Sequence, residues 1–234
     1  MRRSKEQSLI DGFFNHLRKY VEGEHRQFVK CSMDGFDTVL GADYIFSDNV
    51  RFLMTEFKYD ETDLKKESDK PRRLILCKKL DEDVLKAQQS LSCHYIAWSE
   101  ALPENKRRLY FNQYKPQICN QTIWGSESEL KNKEPNNESQ RTSKSIIMSF
   151  VTKDLGISFE LFDHYVSWLI SINGGGDSGV EILIDDPNSG ELDYQGFDSL
   201  QQLKDWLDLH APKLEKTNEP EDPEPEDNGP KFRM

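Results

Sequence analysis

Three ionisable residues, Asp43, Glu56 and Lys58, have side-chain types and a spacing that suit chemistry on a phosphate ester. Asp43 lies in a short apolar segment, and Glu56 and Lys58 lie at the end of the strongest strand-like segment in the chain. Because side chains alternate along a strand, Glu56 and Lys58 share one face while Phe57 points away. Ionised groups against an apolar sheet cost several kcal/mol each unless they are paired or bound to a metal.

A hard divalent cation between Asp43 and Glu56 would compensate for this burial. Mg²⁺, or Mn²⁺ in its place, commonly takes one or two carboxylates, keeps several waters and accepts a substrate phosphate oxygen. The backbone carbonyl of Phe57 is a further candidate ligand. Lys58 would orient or help to deprotonate the attacking water and offset charge in the transition state. The sequence therefore predicts Asp43, Glu56 and Lys58 as catalytic residues.

The segments around these residues read as a helix followed by three strands. Apolar residues recur at three- and four-residue spacing over residues 4–22, which predicts an amphipathic helix. Strands are expected near residues 27–31, 42–47 and 50–59, and Asp48-Asn49 indicates a tight turn between the last two. Such a hairpin would bring Asp43 close to Glu56 and Lys58. Residues 60–70 read as a charged loop, and residues 73–90 as a helix in which residues 74–76 could equally be a strand.

This arrangement resembles the PD-(D/E)xK nuclease superfamily over roughly residues 5–100. The matching motifs are Gly-Ala-Asp-Tyr-Ile-Phe around Asp43 and Met-Thr-Glu-Phe-Lys-Tyr around Glu56 and Lys58, with Ala42 where the family name has Pro. The resemblance implies an α/β fold with a restriction-endonuclease-like αβββαβ core and Mg²⁺-dependent hydrolysis of nucleic acid, in DNA rather than RNA. It fits restriction, phage defence, or recombination and repair. Many members also carry an acid on the first helix, for which Glu6 is the candidate.

Basic residues directly after the motif are candidates for contacts with the phosphates of nucleic acid. The alternative for each of them is a solvated position on a helix face. The candidates are Arg72, Arg73, Lys78 and Lys79.

The net charge of −11 conceals an asymmetry along the 234 residues. Residues 1–144 hold 25 basic and 23 acidic residues, residues 145–210 hold two and twelve, and residues 211–234 hold four and seven. The segment with the candidate site is therefore slightly basic, so the overall charge does not exclude a nucleic-acid substrate. A protein partner or homo-oligomerisation could supply further affinity.

Four segments are expected from the composition. These are a nuclease-like core (residues 1–124), a flexible connector rich in Ser, Asn, Glu and Lys (125–145), an acidic α+β region (146–210) and a disordered acidic, Pro-rich tail (211–234). In the acidic region we expect a strand at 145–151, helices at 157–170 and 199–209, and a hairpin formed by 180–184 and 191–194. The competing hypothesis is a non-catalytic, nuclease-like interaction protein whose acidic region binds a basic partner or mimics nucleic acid.

Other signals point away from alternative classes. No stretch approaches the ~20 apolar residues that span a bilayer, so we expect no membrane association. Four cysteines without a Cys-x-x-Cys pair favour reduced thiols and a cytoplasmic location. Residues 174–179 match the dinucleotide-binding pattern but follow a helix and precede a strand, so they read as a loop. Cys93 and His94 lack a second pair of zinc ligands.

Overall fold

The structure is a computed structural model that describes residues 2–33, 40–173, 182–185 and 194–210. Within these ranges, one mixed β-sheet is covered by helices on both faces, which confirms the expected α/β class. The predicted tail (211–234), the loop at 174–179 and most of the predicted hairpin turn lie outside the described residues. No helix in the described part of the chain is long and apolar enough to cross a membrane.

The strands of the sheet lie in the order β6-β5-β4-β3-β2-β1-β7-β8. Among the described strands, β3 and β4 pair in parallel and the other neighbours pair antiparallel. The strands are β1 (Val29–Ser32), β2 (Tyr44–Ser47), β3 (Phe52–Lys58), β4 (His94–Leu102), β5 (Lys106–Gln113), β6 (Arg141–Thr142), β7 (Ile182–Asp185) and β8 (Tyr194–Phe197).

The helices connect and cover these strands. They are α1 (Arg2–Gly23), α2 (Pro71–Glu82), α3 (Val84–Cys93), α4 (Tyr114–Ile118), α5 (Gln121–Trp124), α6 (Ser143–Val151), α7 (Phe159–Ile172) and α8 (Leu200–His210). Two 3-10 helices occupy Glu61–Asp69 and Ser126–Ser128.

Each face of the sheet carries its own hydrophobic core. Helices α1 and α6 pack on one face, where Phe13 and Phe14 surround the ring of Phe57 with centroid distances of 6.0 and 5.8 Å. Helices α2, α3, α4, α7 and α8 pack on the other face, against Met54 and Ile96. Strand β3 is therefore buried on both sides, as its apolar run predicts.

A tight turn between β2 and β3 sets the register of these two strands. Asp48 Oδ1 accepts hydrogen bonds from the backbone N–H groups of Val50 (3.0 Å) and Arg51 (2.7 Å). Arg26 donates to the other oxygen of Asp48, whose side chain is buried. Asn49 has a φ of 68°, in the left-handed region that Asn tolerates better than most residues.

The structure corrects the predicted strand at residues 145–151, which is helix α6. Thr142 caps this helix by accepting a hydrogen bond from the N–H of Ser145. Ile146, Ile147 and Phe150 are buried together at helical spacing. A short apolar run fits a strand or a helix equally well, and packing against α1 decides between them.

The structure also corrects the predicted flexible connector at 125–145 and the charged loop at 60–70. Leu130 is 2% exposed, and β6 extends the sheet beside β5. The charged stretch forms a 3-10 helix whose start is capped by Asp60, and Leu64 anchors it in the core. Strand β7 pairs with β1, so the sheet continues from the predicted core into the predicted acidic region.

A disulfide bond joins Cys77 on α2 to Cys119 after α4, with Cα atoms 5.0 Å apart. The prediction of reduced thiols is wrong for this pair. The two cysteines are 42 residues apart in sequence. Strands β4 and β5, which lie between α2 and α4 in the chain, bring the two cysteines together. Cys31 and Cys93 are free and buried, so the prediction holds for them.

Candidate functional site

The β2–β3 hairpin brings Asp43 beside the end of β3. Tyr44 lies opposite Thr55, and the N–H of Asp43 donates to the carbonyl of Thr55 at 3.0 Å. The carboxylate of Asp43 then accepts a hydrogen bond from the N–H of Phe57 at 2.6 Å. Asp43 is thereby held next to Glu56 and Lys58, thirteen and fifteen residues further along the chain.

Glu56 and Lys58 project from the face of β3 that meets the 3-10 helix and α2. Lys58 forms an ion pair with Glu56, whose side chain is 1% exposed. A second carboxylate, Glu67 on the 3-10 helix, is fully buried and lies 2.9 Å from Lys58 Nζ. Lys70 joins both carboxylates, at 2.8 Å from Glu56 and 3.0 Å from Glu67. Two ammonium groups therefore bridge two buried carboxylates.

Arg73 and Tyr114 complete the back of this cluster. Arg73 Nε lies 3.4 Å from Glu67, and its guanidinium lies 4.0 Å from Glu56. The hydroxyl of Tyr114 donates to Glu67 at 2.9 Å. These contacts compensate for burial of the carboxylates, which would otherwise be strongly destabilising.

Gly41 allows this packing because its φ of 81° is in the left-handed region. A Cβ at this position would lie 3.0 Å from Arg73 and 3.2 Å from the ring of His94. His94 Nε2 also lies 2.7 Å from the carbonyl of Gly41, which only accepts, so this nitrogen carries the proton. His94 Nδ1 then accepts from the hydroxyl of Tyr165 at 3.0 Å. His94 is therefore a buried packing residue, in line with the absence of a zinc pattern.

The surroundings shift the pKa values of the three predicted catalytic residues in different ways. Burial and the neighbouring Glu56 raise the pKa of Asp43 well above its usual range. Burial also opposes ionisation of Glu56, but Lys58 and two further cations outweigh it and lower the pKa of Glu56. Burial would lower the pKa of Lys58, but Glu56 and Glu67 outweigh it and raise that pKa, so Lys58 is a cation at neutral pH.

Glu6 on α1 lies at the edge of the same cluster. Burial raises its pKa, while nearby Lys58 and a hydrogen bond to the backbone of Tyr59 lower it. Glu56 also influences Glu6 electrostatically. The inward-facing acid expected on the first helix therefore lies near the other candidate residues.

The four basic residues proposed to contact nucleic acid are distributed differently. Arg73 is 1% exposed and belongs to the buried cluster, so it has no surface to offer to a phosphate. Lys79 pairs with Glu82 at 2.8 Å on the surface. Arg72 is exposed, and Lys78 is half-buried in a groove that Asp81 and Glu82 also line.

One feature of the Asp43 and Glu56 carboxyl groups suits the binding of a divalent cation. Glu56 Oε2 is a buried carboxylate oxygen that accepts no hydrogen bond and lies 4.0 Å from the guanidinium of Arg73, and Glu56 acts electrostatically on Asp43. Such an oxygen suits a cation that keeps its other ligands as water and substrate oxygens. Among the described residues, no group of three or more His, Cys, Asp or Glu side chains could hold a metal ion.

The sequence analysis missed Glu67, Lys70 and Tyr114. Glu67 and Lys70 lie in the stretch that reads as a loop, and Tyr114 follows β5 at a distance of 47 residues from Glu67. Glu67 is a buried residue next to exposed lysines, so no apolar periodicity in the sequence marks it. Lys70 directly precedes Pro71 at the start of α2, and this helix-start pattern was its one sequence signal.

Comparisons with known proteins were negative: no family model, no curated protein and no solved structure matches this chain.

Proposed function

We propose that this protein is a metal-dependent nuclease that hydrolyses phosphodiester bonds in DNA. The observation that carries the proposal is the hydrogen bond from Phe57 N–H to Asp43, at 2.6 Å. It fixes one carboxyl group beside a buried glutamate and a buried lysine at the end of the central strand. Paired carboxylates with an adjacent lysine are suited to metal-assisted attack of water on a phosphate.

The order of elements also supports the proposal. Helix α1 precedes the antiparallel strands β1, β2 and β3, and α2 and α3 lead to β4, which is parallel to β3. With α2 and α3 taken together as one helical connection, this order supports the αβββαβ core that the resemblance to the PD-(D/E)xK superfamily implies. A place in phage defence, restriction or repair, and a protein partner or second copy, belong to the same proposal.

The chemistry divides among three side chains. Asp43 and Glu56 Oε2 would hold Mg²⁺ or Mn²⁺, with the Phe57 carbonyl as the further ligand. The bound cation would supply polarisation of the phosphate and of a water molecule. Lys58 stays protonated between two carboxylates, so it stabilises negative charge on the phosphate and orients water, and it does not act as a base.

The test is cleavage of DNA by the purified protein with Mg²⁺ or Mn²⁺. Asp43→Asn and Lys58→Met should each lower the rate by about 10²–10³-fold, because each removes a group that stabilises the transition state. Asp69→Asn is the matched control, since Asp69 is an exposed carboxylate on the neighbouring 3-10 helix. Calorimetric titration with Mn²⁺ should show binding to the control and none to Asp43→Asn.

Cleavage that persists unchanged in Asp43→Asn would overturn the assignment of Asp43 as a metal ligand. A wild-type protein that neither cleaves DNA nor binds Mn²⁺ would overturn the nuclease proposal. That result would favour the alternative, an interaction protein with a nuclease-like core that binds a basic partner through its acidic C-terminal region.

A further inference from the structure

Lys70 lies on the solvent side of the two buried carboxylates of the cluster. Its ammonium group is 2.8 Å from Glu56 Oε1 and 3.0 Å from Glu67 Oε1. The side chain of Lys70 is 33% exposed, whereas that of Lys58, which contacts the same two oxygens, is 11% exposed. Arg73, the third cation of the cluster, is buried. Of these three cations, Lys70 is therefore the one that solvent reaches most easily.

The backbone of Lys70 is held by its neighbours. Its N–H donates to the carbonyl of Glu67 at 3.1 Å, and its carbonyl accepts from the N–H of Arg73 at 2.9 Å. Pro71 follows directly and favours an extended backbone at the preceding residue, as found for Lys70 with φ −108° and ψ 95°. The side chain of Lys70 therefore starts from a fixed point at the beginning of α2.

Asp43 is the other half-buried residue of the site. Lys70 acts on it electrostatically, so the two side chains lie close to each other. Glu56 and Glu67 lie deeper and are buried. A phosphate that approaches Asp43 from the solvent therefore has Lys70 within reach before the more buried Lys58.

The ammonium group of Lys70 can bind a phosphate without leaving the cluster. An ammonium group has three N–H donors, and the contacts with Glu56 and Glu67 use two of them. The cluster holds three cations and two carboxylates, so positive charge is in excess.

A divalent cation held by Asp43 and Glu56 would increase this excess. Its two positive charges outweigh the single negative charge that ionisation of Asp43 adds. The bound cation would also compete with Lys70 for the carboxylate of Glu56. Lys70 would then keep its contact with Glu67 and exchange Glu56 for an anion from the solvent.

We propose that Lys70 is a second lysine that contacts the substrate and binds the phosphate that is cleaved. This inference rests on the proposed nuclease function. Lys70 contacts the phosphate before the transition state as well as in it, so it contributes to substrate binding and lowers KM. Lys58, which is more deeply buried, acts mainly on the rate.

The experiment compares Lys70→Met with the wild type in two measurements on the whole protein. In calorimetric titration, Lys70→Met should bind Mn²⁺ with a Kd lower by about threefold or more, because a cation that competes for Glu56 is gone. In cleavage of DNA at saturating Mn²⁺, the same variant should raise KM by about 10–100-fold with a smaller change in kcat, because a hydrogen bond to a charged phosphate is lost. A purely structural role would weaken metal binding and cleavage together.

Lys66→Met is the matched control. Lys66 lies on the 3-10 helix that precedes Lys70, and its side chain is 55% exposed and pairs with Asp63 at 2.7 Å. Both measurements on this control should match the wild type. Lys70→Arg keeps the positive charge and should return KM to within a few-fold of the wild-type value. Lys70→Gln, whose amide can still donate to Glu67, replaces Lys70→Met if that variant does not fold, with the same expected directions.

The outcomes separate this inference from the nuclease proposal. Unchanged KM in Lys70→Met or Lys70→Gln, in a protein that cleaves DNA, would overturn the role of Lys70 and leave the nuclease proposal. A parallel loss of Mn²⁺ binding and cleavage would make Lys70 a structural residue and would also overturn its role. A wild-type protein that neither cleaves DNA nor binds Mn²⁺ would overturn the nuclease proposal, and this inference with it.

Discussion

The ammonium group of Lys58 lies 2.9 Å from a carboxylate oxygen of Glu67, a fully buried residue nine positions further along the chain. Lys58 therefore does not depend on Glu56 alone for compensation of its charge. In the proposed nuclease, Glu67 would retain Lys58 and Lys70 while Glu56, whose Oε2 accepts no hydrogen bond, would bind the metal ion. In this arrangement Glu67 positions Lys58 and need not contact a substrate.

Substitution of Glu67 by Gln is expected to lower the free energy of unfolding by about 3–5 kcal/mol. The amide can still accept from Tyr114, but the cations around it lose a buried countercharge. The measurement is urea-induced unfolding followed by circular dichroism. The double variant Glu67→Gln/Lys70→Met should recover part of the loss, because it removes one anion and one cation together.

The exposed pair of Lys79 and Glu82 is the control for this prediction. Glu82→Gln should change the free energy of unfolding by less than about 1 kcal/mol, as is usual for exposed pairs. Equal effects of Glu67→Gln and Glu82→Gln would contradict the assignment of Glu67 as the central countercharge.

The proximity of Asp43, Glu56 and Lys58 could be predicted because it depends on local rules. A short hairpin around Asp48 and the alternation of side chains on β3 are sufficient to bring them together. The surroundings of these residues depend on tertiary packing. Glu67 lies in a 3-10 helix without apolar periodicity, so its burial could not be read from the chain.

In the fold, too, some elements follow from local sequence patterns and others depend on tertiary packing. The amphipathic periodicity of α1 and the two-sided apolar run of β3 are strong signals, and both elements form as predicted. Helix α6 has only a short apolar run, which fits a strand or a helix equally well, and its state is decided by the Thr142 cap and by contacts with α1. The pairing of Cys77 with Cys119 required the sheet topology.

Substitution of Asp48 by Ala is expected to destabilise the protein by about 3 kcal/mol. The buried carboxylate accepts hydrogen bonds from two N–H groups of the β2–β3 turn and pairs with Arg26. Its loss therefore leaves both N–H groups and the guanidinium of Arg26 without this partner. Asn49→Gly is the control, since glycine accepts the φ of 68°, and we expect a change below about 1 kcal/mol. Urea-induced unfolding of both variants checks the prediction, and equal midpoints would contradict it.

Stability should fall in mild acid because of His94. Burial lowers the pKa of His94 to about 3, with a smaller contribution from nearby Arg73, so the folded protein keeps the ring neutral. The unfolded chain binds the proton below about pH 6.5, so the folded state loses about 1.4 kcal/mol per pH unit from there down to the folded pKa. Relative to His94→Gln, the wild type should lose about 2 kcal/mol more between pH 6 and pH 4.5.

Urea-induced unfolding at several pH values measures this difference. His164→Gln is the control for the loss of an imidazole, because the side chain of His164 is exposed. Parallel stability curves for wild type and His94→Gln across this pH range would show that His94 is protonated in the folded protein.

The Cys77–Cys119 disulfide should stabilise the packing of α2 against α4, and these helices supply Arg73 and Tyr114 to Glu67. Closing a loop of this length restricts the unfolded chain, so the double variant Cys77→Ala/Cys119→Ala should be less stable by about 2–4 kcal/mol. Dithiothreitol should lower the unfolding midpoint of the wild type towards that of the variant and leave the variant unchanged. Cys31→Ala, which removes a buried free thiol, controls for the loss of packing, with an expected cost of about 1 kcal/mol. Alkylation of the unfolded, unreduced protein should label two cysteines; labelling of all four would show that the bond does not form, and the stability difference should then disappear.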